Sequence, residues 1–328
     1  MTEAVEPLAA YVCDGHGRGV ALGWDGVRAF RRAAGDERSF LWVHLHRTEE
    51  VHRRWLEQES GLDELRCETL LEEETRPRQV PGHDHLIVLL RGVNLNPGQE
   101  PDDMVSLRIY VGRDRVITLR SRRVRAVQDV RDQLEGGEGP TSPGDLLVAI
   151  AERIVDRQMP VVDSLEEVVD DVEENLLEVQ GHELRSRIAE FRRTVIGLRR
   201  YLAPQRDVLN QLVFDRSAML SEVERARLRE IADRQTRVVE ELDAARDRAA
   251  VANEELAGRA AERMNRNTYV LSIVAGVFLP LGLFTGLLGI NVGGIPGTDS
   301  DMAFWVVCAL LLLVAGVVLW LFRRLRML

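Results

Sequence analysis

Two uncharged apolar runs end the chain, at residues 267–290 and 303–322. An α-helix rises about 1.5 Å per residue, so about 20 residues cross a hydrocarbon core about 30 Å thick. Each run therefore predicts a membrane-spanning helix, and residues 291–302 predict a short loop between them. Upstream the pattern is that of a water-soluble α/β region. Strand-like pieces stand at 41–45, 85–90, 104–111 and 115–119, and Gly112-Arg113-Asp114 marks a hairpin turn between the last two. Helical pieces stand at 49–59 and 125–134. The run Gly136-Gly137-Glu138-Gly139-Pro140 is a breaker, and Ser142-Pro143 opens the next helix, because proline suits a first helical turn.

From Asp145 to about Glu178 the pattern is amphipathic and acidic, with Glu166, Glu167, Asp170, Asp171, Glu173 and Glu174 close together. This is either a solvated helix face or an attractor for cations. A second helix, from His182 to Leu212, carries Arg185, Arg187, Arg192, Arg193, Arg199 and Arg200, which offset the acidic helix if the two pack antiparallel. A third helical pattern runs from about Ser217 to Gly289. Its apolar positions recur at Leu220, Val223, Ile231, Val238, Leu242, Ala245, Ala249, Ala252, Leu256 and Ala260. Steps near three and four residues suit a helix–helix seam. One helix cannot bury such a seam alone, so self-association is expected.

Composition narrows the function. The net charge of −10 argues against a nucleic-acid partner. The basic residues are all Arg apart from histidine, so a Walker A lysine and a Schiff-base lysine are both absent. With no Gly-rich phosphate loop either, ATP-driven transport by this chain alone is not expected. No GxSxG, HExxH or paired-glycine cofactor loop occurs, so neither an enzyme nor a resident cofactor is expected. Cys13, Cys67 and Cys308 are isolated and read as buried inert thiols. Residues 1–10 lack the basic and apolar regions of a signal peptide. Arg263 and Arg266 precede the first run and Arg323, Arg324 and Arg326 follow the second, while the loop has no Arg and contains Asp299 and Asp301. The excess of positive charge places both termini in the cytoplasm and the loop outside, in the plasma (bacterial inner) membrane.

The predicted organisation is a cytoplasmic α/β domain over 1–140, a cytoplasmic helical region over 141–216 and a stalk helix over 217–266. A first transmembrane helix follows over 267–290, an outer loop over 291–302, a second transmembrane helix over 303–322 and a basic cytoplasmic tail over 323–328. Small residues Ala275, Gly276, Gly282 and Gly286 suit close helix packing in lipid, and Pro280 can bend the first span. The second span reads as a lipid-facing outer helix. Two uncharged helices cannot enclose an ion pathway, but several copies can.

Gly289-Ile290-Asn291 ends the first span, Phe278-Leu279-Pro280-Leu281 leads into it, and Gly293-Gly294-Ile295-Pro296-Gly297 follows. With two C-terminal spans, these residues resemble the CorA-type divalent metal ion transporter superfamily, and its zinc-transport (ZntB) branch in particular. That branch is suggested by Ile290, where the magnesium branch usually has Met. Gly282 stands where the magnesium branch often has Thr, so a polar ring expected there is missing. The segment from Leu71 to Pro77, LEEETRP, followed by 83–90, resembles the family's entry into a strand, and the likeness covers nearly the whole chain.

The resemblance implies a funnel-shaped homopentamer whose five first spans line the pore. It implies that Gly289, Ile290 and Asn291 form the ion-selectivity motif, with Asn291 ringing the outer mouth and holding a hydrated ion transiently. It also implies a pore face of Asn265, Thr268, Leu271, Ala275 and Leu279, whose three-and-four spacing independently fits one helix face. Leu271 and Leu279 would gate by dewetting. Asp299 and Asp301 would attract cations at the mouth.

An amide carbonyl is a hard, neutral acceptor, whereas zinc sites that strip water use Cys, His or carboxylate. The pore face has none of these, so the chemistry favours a largely hydrated cation without selecting zinc over magnesium, cobalt or nickel. The choice of zinc, and candidate proton coupling, rest on the resemblance. A passive channel for magnesium, cobalt or nickel is the alternative, and a membrane-anchored coiled-coil sensor without a pore is the non-transport one. His44 and His46 share a strand face and His83-Asp84-His85 sits at a strand entrance; these are taken as surface or hydrogen-bonded histidines, not as sites.

Overall fold

The structure, a computed structural model, describes residues 6–33, 36, 38–73, 76–175, 181–289 and 302–324. It divides into two compact units, Met1–Asn253 and Glu254–Leu328.

The first unit is built on a seven-stranded sheet in the order β2-β1-β3-β7-β6-β5-β4. The strands are β1 (Ala9–Cys13), β2 (Gly19–Ala21), β3 (Phe40–His46), β4 (Arg78–Pro81), β5 (Leu86–Gly92), β6 (Val105–Val111) and β7 (Arg115–Arg120). Only β3 and β7 run parallel; every other neighbour is antiparallel. Both faces are covered, which is why β3 reads as an unbroken apolar run instead of an alternating one. Phe40 and Trp42 enter one core, and Leu41, Val43 and Leu45 enter the other. The second of these cores packs against α1 (Trp24–Ala29), α2 (Glu50–Gln58) and α3 (Glu64–Leu71). The first packs against α4 (Arg125–Gly136), α5 (Pro143–Asp156), the end of α7 (Gly181–Val213) and the start of α8 (Glu222–Gly289).

The predicted strands and the two N-terminal helices are present as β3, β5, β6, β7, α2 and α4. Two expectations are corrected. The amphipathic stretch beginning at Asp145 is not one helix: it breaks at Arg157-Gln158 into α5 and α6 (Met159–Glu174). Pro160 opens α6, and proline lacks the N–H that a continuing helix needs. The long helix begins at Glu222 instead of Ser217, because Ser221 and Glu224 form a capping box. The Ser221 N–H donates to Glu224 Oε2 at 2.6 Å and the Glu224 N–H to Ser221 Oγ at 3.3 Å.

Glu224 also accepts the hydroxyl of Ser142, the N-cap of α5. The starts of α5 and α8 are thus tied through one carboxylate. Gly144 makes the approach possible, since a Cβ there would lie 2.5 Å from the Met219 carbonyl oxygen. Further along, α8 is laced to α5 by ion pairs. Arg227 reaches Asp145 and Glu152, and Arg234 reaches Glu152 at 3.1 Å and Asp156 at 2.6 Å.

The acidic face of α6 is neutralised from two sides. Arg187 of α7 pairs with Asp171, as the charge pattern suggests. Arg248 of α8 contributes more, reaching Asp170 at 2.6 Å and Glu173 at 2.5 Å. Arg199, expected to face α6, instead pairs with Asp243 of α8 at 2.5 Å. These pairs are partly exposed, so they set geometry more than stability.

His44 is fully buried in this unit. Its Nε2 accepts from Arg120 Nε at 3.1 Å, so its Nδ1 carries the proton and donates to Thr118 Oγ1 at 2.8 Å. Burial, and the nearby guanidinium of Arg120, hold its pKa well below the usual histidine value. The unfolded chain takes up a proton below about pH 6.5 that the folded chain refuses. The His44 contribution is therefore complete above that pH and is lost as pH falls toward the folded value. Thermal unfolding at pH 7.5 and pH 5.5 is expected to show a larger fall in stability for the natural chain than for His44→Asn. Equal pH slopes would contradict the assignment.

Candidate functional site

The second unit contains the end of α8 and α9 (Ala303–Arg324). Both helices are long and apolar enough to cross a membrane, and neither apolar stretch is buried within the protein. On α8 the half-buried positions Ile273, Gly276, Val277, Pro280 and Leu281 form one stripe. On α9 the half-buried positions Val307, Cys308, Leu311, Val314, Ala315, Val318 and Phe322 recur at helical spacing. At Gly276 the two helices approach closely: a Cβ there would lie 2.5 Å from Phe322 Cζ, so the ring would have to move. Close approach through small residues is how helices associate in lipid.

The predicted pore-facing residues lie away from that stripe. At about 100° per residue, Asn265, Thr268, Leu271, Ala275 and Leu279 fall within about a third of the helix circumference, roughly opposite the stripe packed on α9. Leu271 is 69% exposed and Leu279 72% exposed, so α9 leaves this face open. Ala275 is half-buried, and Asn265 and Thr268 are exposed. Met264, Gly282 and Gly286 share the arc. The sequence signalled Gly282 and Gly286 only as small residues, because periodicity alone does not say which face another helix occupies.

The polar groups of the span are largely used within it. Ser272 Oγ donates to the Thr268 carbonyl at 2.8 Å, and Thr285 Oγ1 to the Leu281 carbonyl at 3.0 Å. Such back-bonding satisfies a hydroxyl where water is absent. Gly289 is the last residue of α8. Ile290, Asn291, Asp299 and Asp301 lie outside the described residues. At the other end of α9 the Arg324 guanidinium lies 5.3 Å from the Trp320 ring, an amphipathic pairing typical of a membrane–water boundary.

Among the described residues, no three or more His, Cys, Asp or Glu side chains converge as metal ligands. His44 is engaged as described, and His46 Nδ1 lies 3.0 Å from Thr48 Oγ1. His85 stacks on Tyr110 and contacts Asp84 Oδ1 at 2.9 Å. Cys13 and Cys67 are buried, and burial pushes their thiols up to about 12 and about 11, away from thiolate chemistry.

A profile of the family described as CorA-like Mg2+ transporter protein matches residues 37–324. The divalent cation transporter CmaX of Pseudomonas aeruginosa is 42% identical over 321 residues, covering 97% of this chain and 96% of that protein. The zinc transport protein ZntB of Pectobacterium carotovorum subsp. carotovorum is 36% identical over 283 residues, covering 86% of each. The solved structure of full-length CmaX superposes with a TM-score of 0.85 at 40% identity, covering 99% of this chain and 100% of that one. The CorA magnesium transporter of Methanocaldococcus jannaschii shares the fold, with a TM-score of 0.78 at 19% identity over 99% of each chain. A sheet-containing domain, a long helix and two C-terminal apolar helices are thus matched along nearly the full length, and the chain belongs to the CorA-like divalent cation transporter family.

Proposed function

We propose that this protein takes up zinc across the bacterial inner membrane through a homopentameric pore. The observation that carries the reading is the open face of α8. Leu271 and Leu279 stay exposed on the side away from α9, and none of the described residues of the subunit covers them. Copies of the same face around an axis would form a narrow apolar conduit with Asn265 and Thr268 at its inner end. Asn291 would ring the outer mouth beyond Gly289, passing the ion with much of its hydration shell. Both termini would lie in the cytoplasm, from the bias of Arg to the inner ends of the spans. Zinc is favoured by Ile290 and by the ZntB relatives.

A passive channel for magnesium, cobalt or nickel is the second reading. It is favoured by the absence of Asp, Glu and His from 270–289 and 303–322, which leaves no fixed proton relay in either span and no strong zinc ligand in the first. A pore-free sensor is set aside by membership of a transporter family. Mass measurement of the detergent-solubilised protein tests the pore directly: five subunits are expected, and a stable monomer or dimer would overturn it.

The outer loop supplies a further expected result. Five copies of Asp299 and Asp301 would form a negative ring that concentrates cations at the mouth. Such steering is screened over about 8 Å at physiological ionic strength. Asp299→Asn with Asp301→Asn is expected to weaken apparent metal affinity at low salt and to matter much less at high salt. A salt-independent effect in the flux assay would argue for direct coordination instead.

A further inference from the structure

Gln158, Gln205 and Gln235 are fully buried in the first unit. Gln158 lies at the break between α5 and α6, Gln205 in α7 and Gln235 in α8. Their surroundings are apolar: Leu202, Val208 and Leu209 flank Gln205, and Ile231, Ala232, Val238 and Val239 flank Gln235, all of them buried. A polar residue in such a seam needs a reason.

Part of the reason is the sheet edge. β4 pairs with β5 only as far as Arg78 opposite Leu89, and Arg91, farther along β5, pairs with Ser106 of β6 on its other side. The Arg91 N–H donates to Gln205 Oε1 at 2.7 Å, and Gln158 Nε2 reaches the Arg91 carbonyl at 3.5 Å. Two side-chain amides thus reach the Arg91 main chain beyond the end of β4. Because Oε1 of Gln205 must face that N–H, its Nε2 faces α8, where it donates to Gln235 Oε1 at 3.3 Å. A hydrogen-bonded line therefore runs from the sheet through α7 to α8.

This line costs stability. Gln235 Nε2 and Gln158 Oε1 are buried without a hydrogen-bond partner among the described residues. Unsatisfied buried amides are destabilising, and a leucine at position 235 would pack at lower cost. What a lone polar pair in an apolar helix seam supplies is register.

We infer that the Gln205–Gln235 hydrogen bond sets the axial register of α8 against α7 and the sheet. Sliding α8 by one turn, about 5.4 Å, would set Ile231, Ala232, Val238 or Val239 opposite Gln205 and leave its Nε2 unpaired. An unpaired buried amide disfavours the slipped state by roughly tenfold to a hundredfold. The ion pairs do not discriminate as well. Arg199 of α7 pairs with Asp243, and Glu240 or Asp247 would meet it after a one-turn slip in either direction. The glutamine pair occurs once in the seam and has no such alternative. It makes the cytoplasmic part of α8 and the sheet a single moving body.

Cysteine crosslinking in the full-length chain tests this, with Cys308→Ser to remove the accessible thiol. Arg199→Cys with Asp243→Cys reports the native register, because those side chains meet at 2.5 Å. Arg199→Cys with Glu240→Cys, or with Asp247→Cys, reports a one-turn slip either way. With the glutamines intact, only the 199–243 pair is expected to crosslink. In Gln205→Leu with Gln235→Leu, the slipped pairs are expected to gain about tenfold or more. Gln235→Met is a second variant that nearly conserves volume and leaves Gln205 on Arg91; it is expected to release the register likewise. Slipped crosslinks that stay at background in both variants would overturn the inference. So would failure of both to fold, since a register device is dispensable for folding itself.

Discussion

Asn291→Ala is expected to abolish most metal uptake while leaving the oligomer assembled. Asn291 comes two residues after Gly289, the last residue of α8, and in the proposed topology it would offer a side-chain amide at the outer mouth of the first span. Five amide oxygens would receive the hydrated ion there, through hydrogen bonds to its water shell. Each hydrogen bond to a charged group contributes about 1.5–3 kcal/mol, so losing this ring should lower flux about tenfold or more. A helix cap predicts something different, because a lost cap weakens folding and assembly and leaves the flux per assembled pore intact. Measuring flux and oligomer size on the same purified variant separates the two. Normal flux from an intact Asn291→Ala oligomer would remove Asn291 from the selectivity motif.

An inwardly directed proton gradient should drive zinc accumulation. One pH unit supplies about 1.4 kcal/mol per proton, which is about tenfold in accumulation ratio for each proton coupled. The group that takes the proton must lie outside the membrane core, since 270–289 and 303–322 contain no Asp, Glu or His. Asp299 and Asp301 between the spans, and Glu254, Glu255 and Glu262 of α8, are the carboxylates nearest the spans in the sequence. Glu255 is already held by Arg259 at 2.5 Å, which directs attention to the others. The experiment is zinc entry into liposomes at fixed voltage, with and without the gradient. Identical rates would reduce the mechanism to passive passage of a hydrated cation.

The parts of the fold written in short stretches of sequence were readable before any coordinates. Two apolar runs predict α9 and the membrane half of α8, and Ser142-Pro143 predicts the start of α5, whose N-cap hydroxyl accepts the Asp145 N–H at 2.9 Å. β2 and β4 were not readable. They are the short outermost strands of the sheet, three and four residues long, and show too little periodicity to be recognised. The break before Pro160 was hidden because apolar spacing continues across it. On the membrane stretch of α8, Thr268, Leu271, Ala275 and Leu279 were legible as one face by spacing. That α9 covers the opposite face was not, because nothing in either helix alone says where its neighbour sits. Gln205 and Gln235 were invisible for the same reason: 30 residues of chain separate two amides that meet only in three dimensions.

Uptake by the purified protein in liposomes, with zinc and magnesium measured in parallel at equal gradients, tests zinc transport most directly. Protein-dependent zinc entry that exceeds magnesium entry is predicted. No protein-dependent entry of either ion, or magnesium entering faster than zinc, would contradict it.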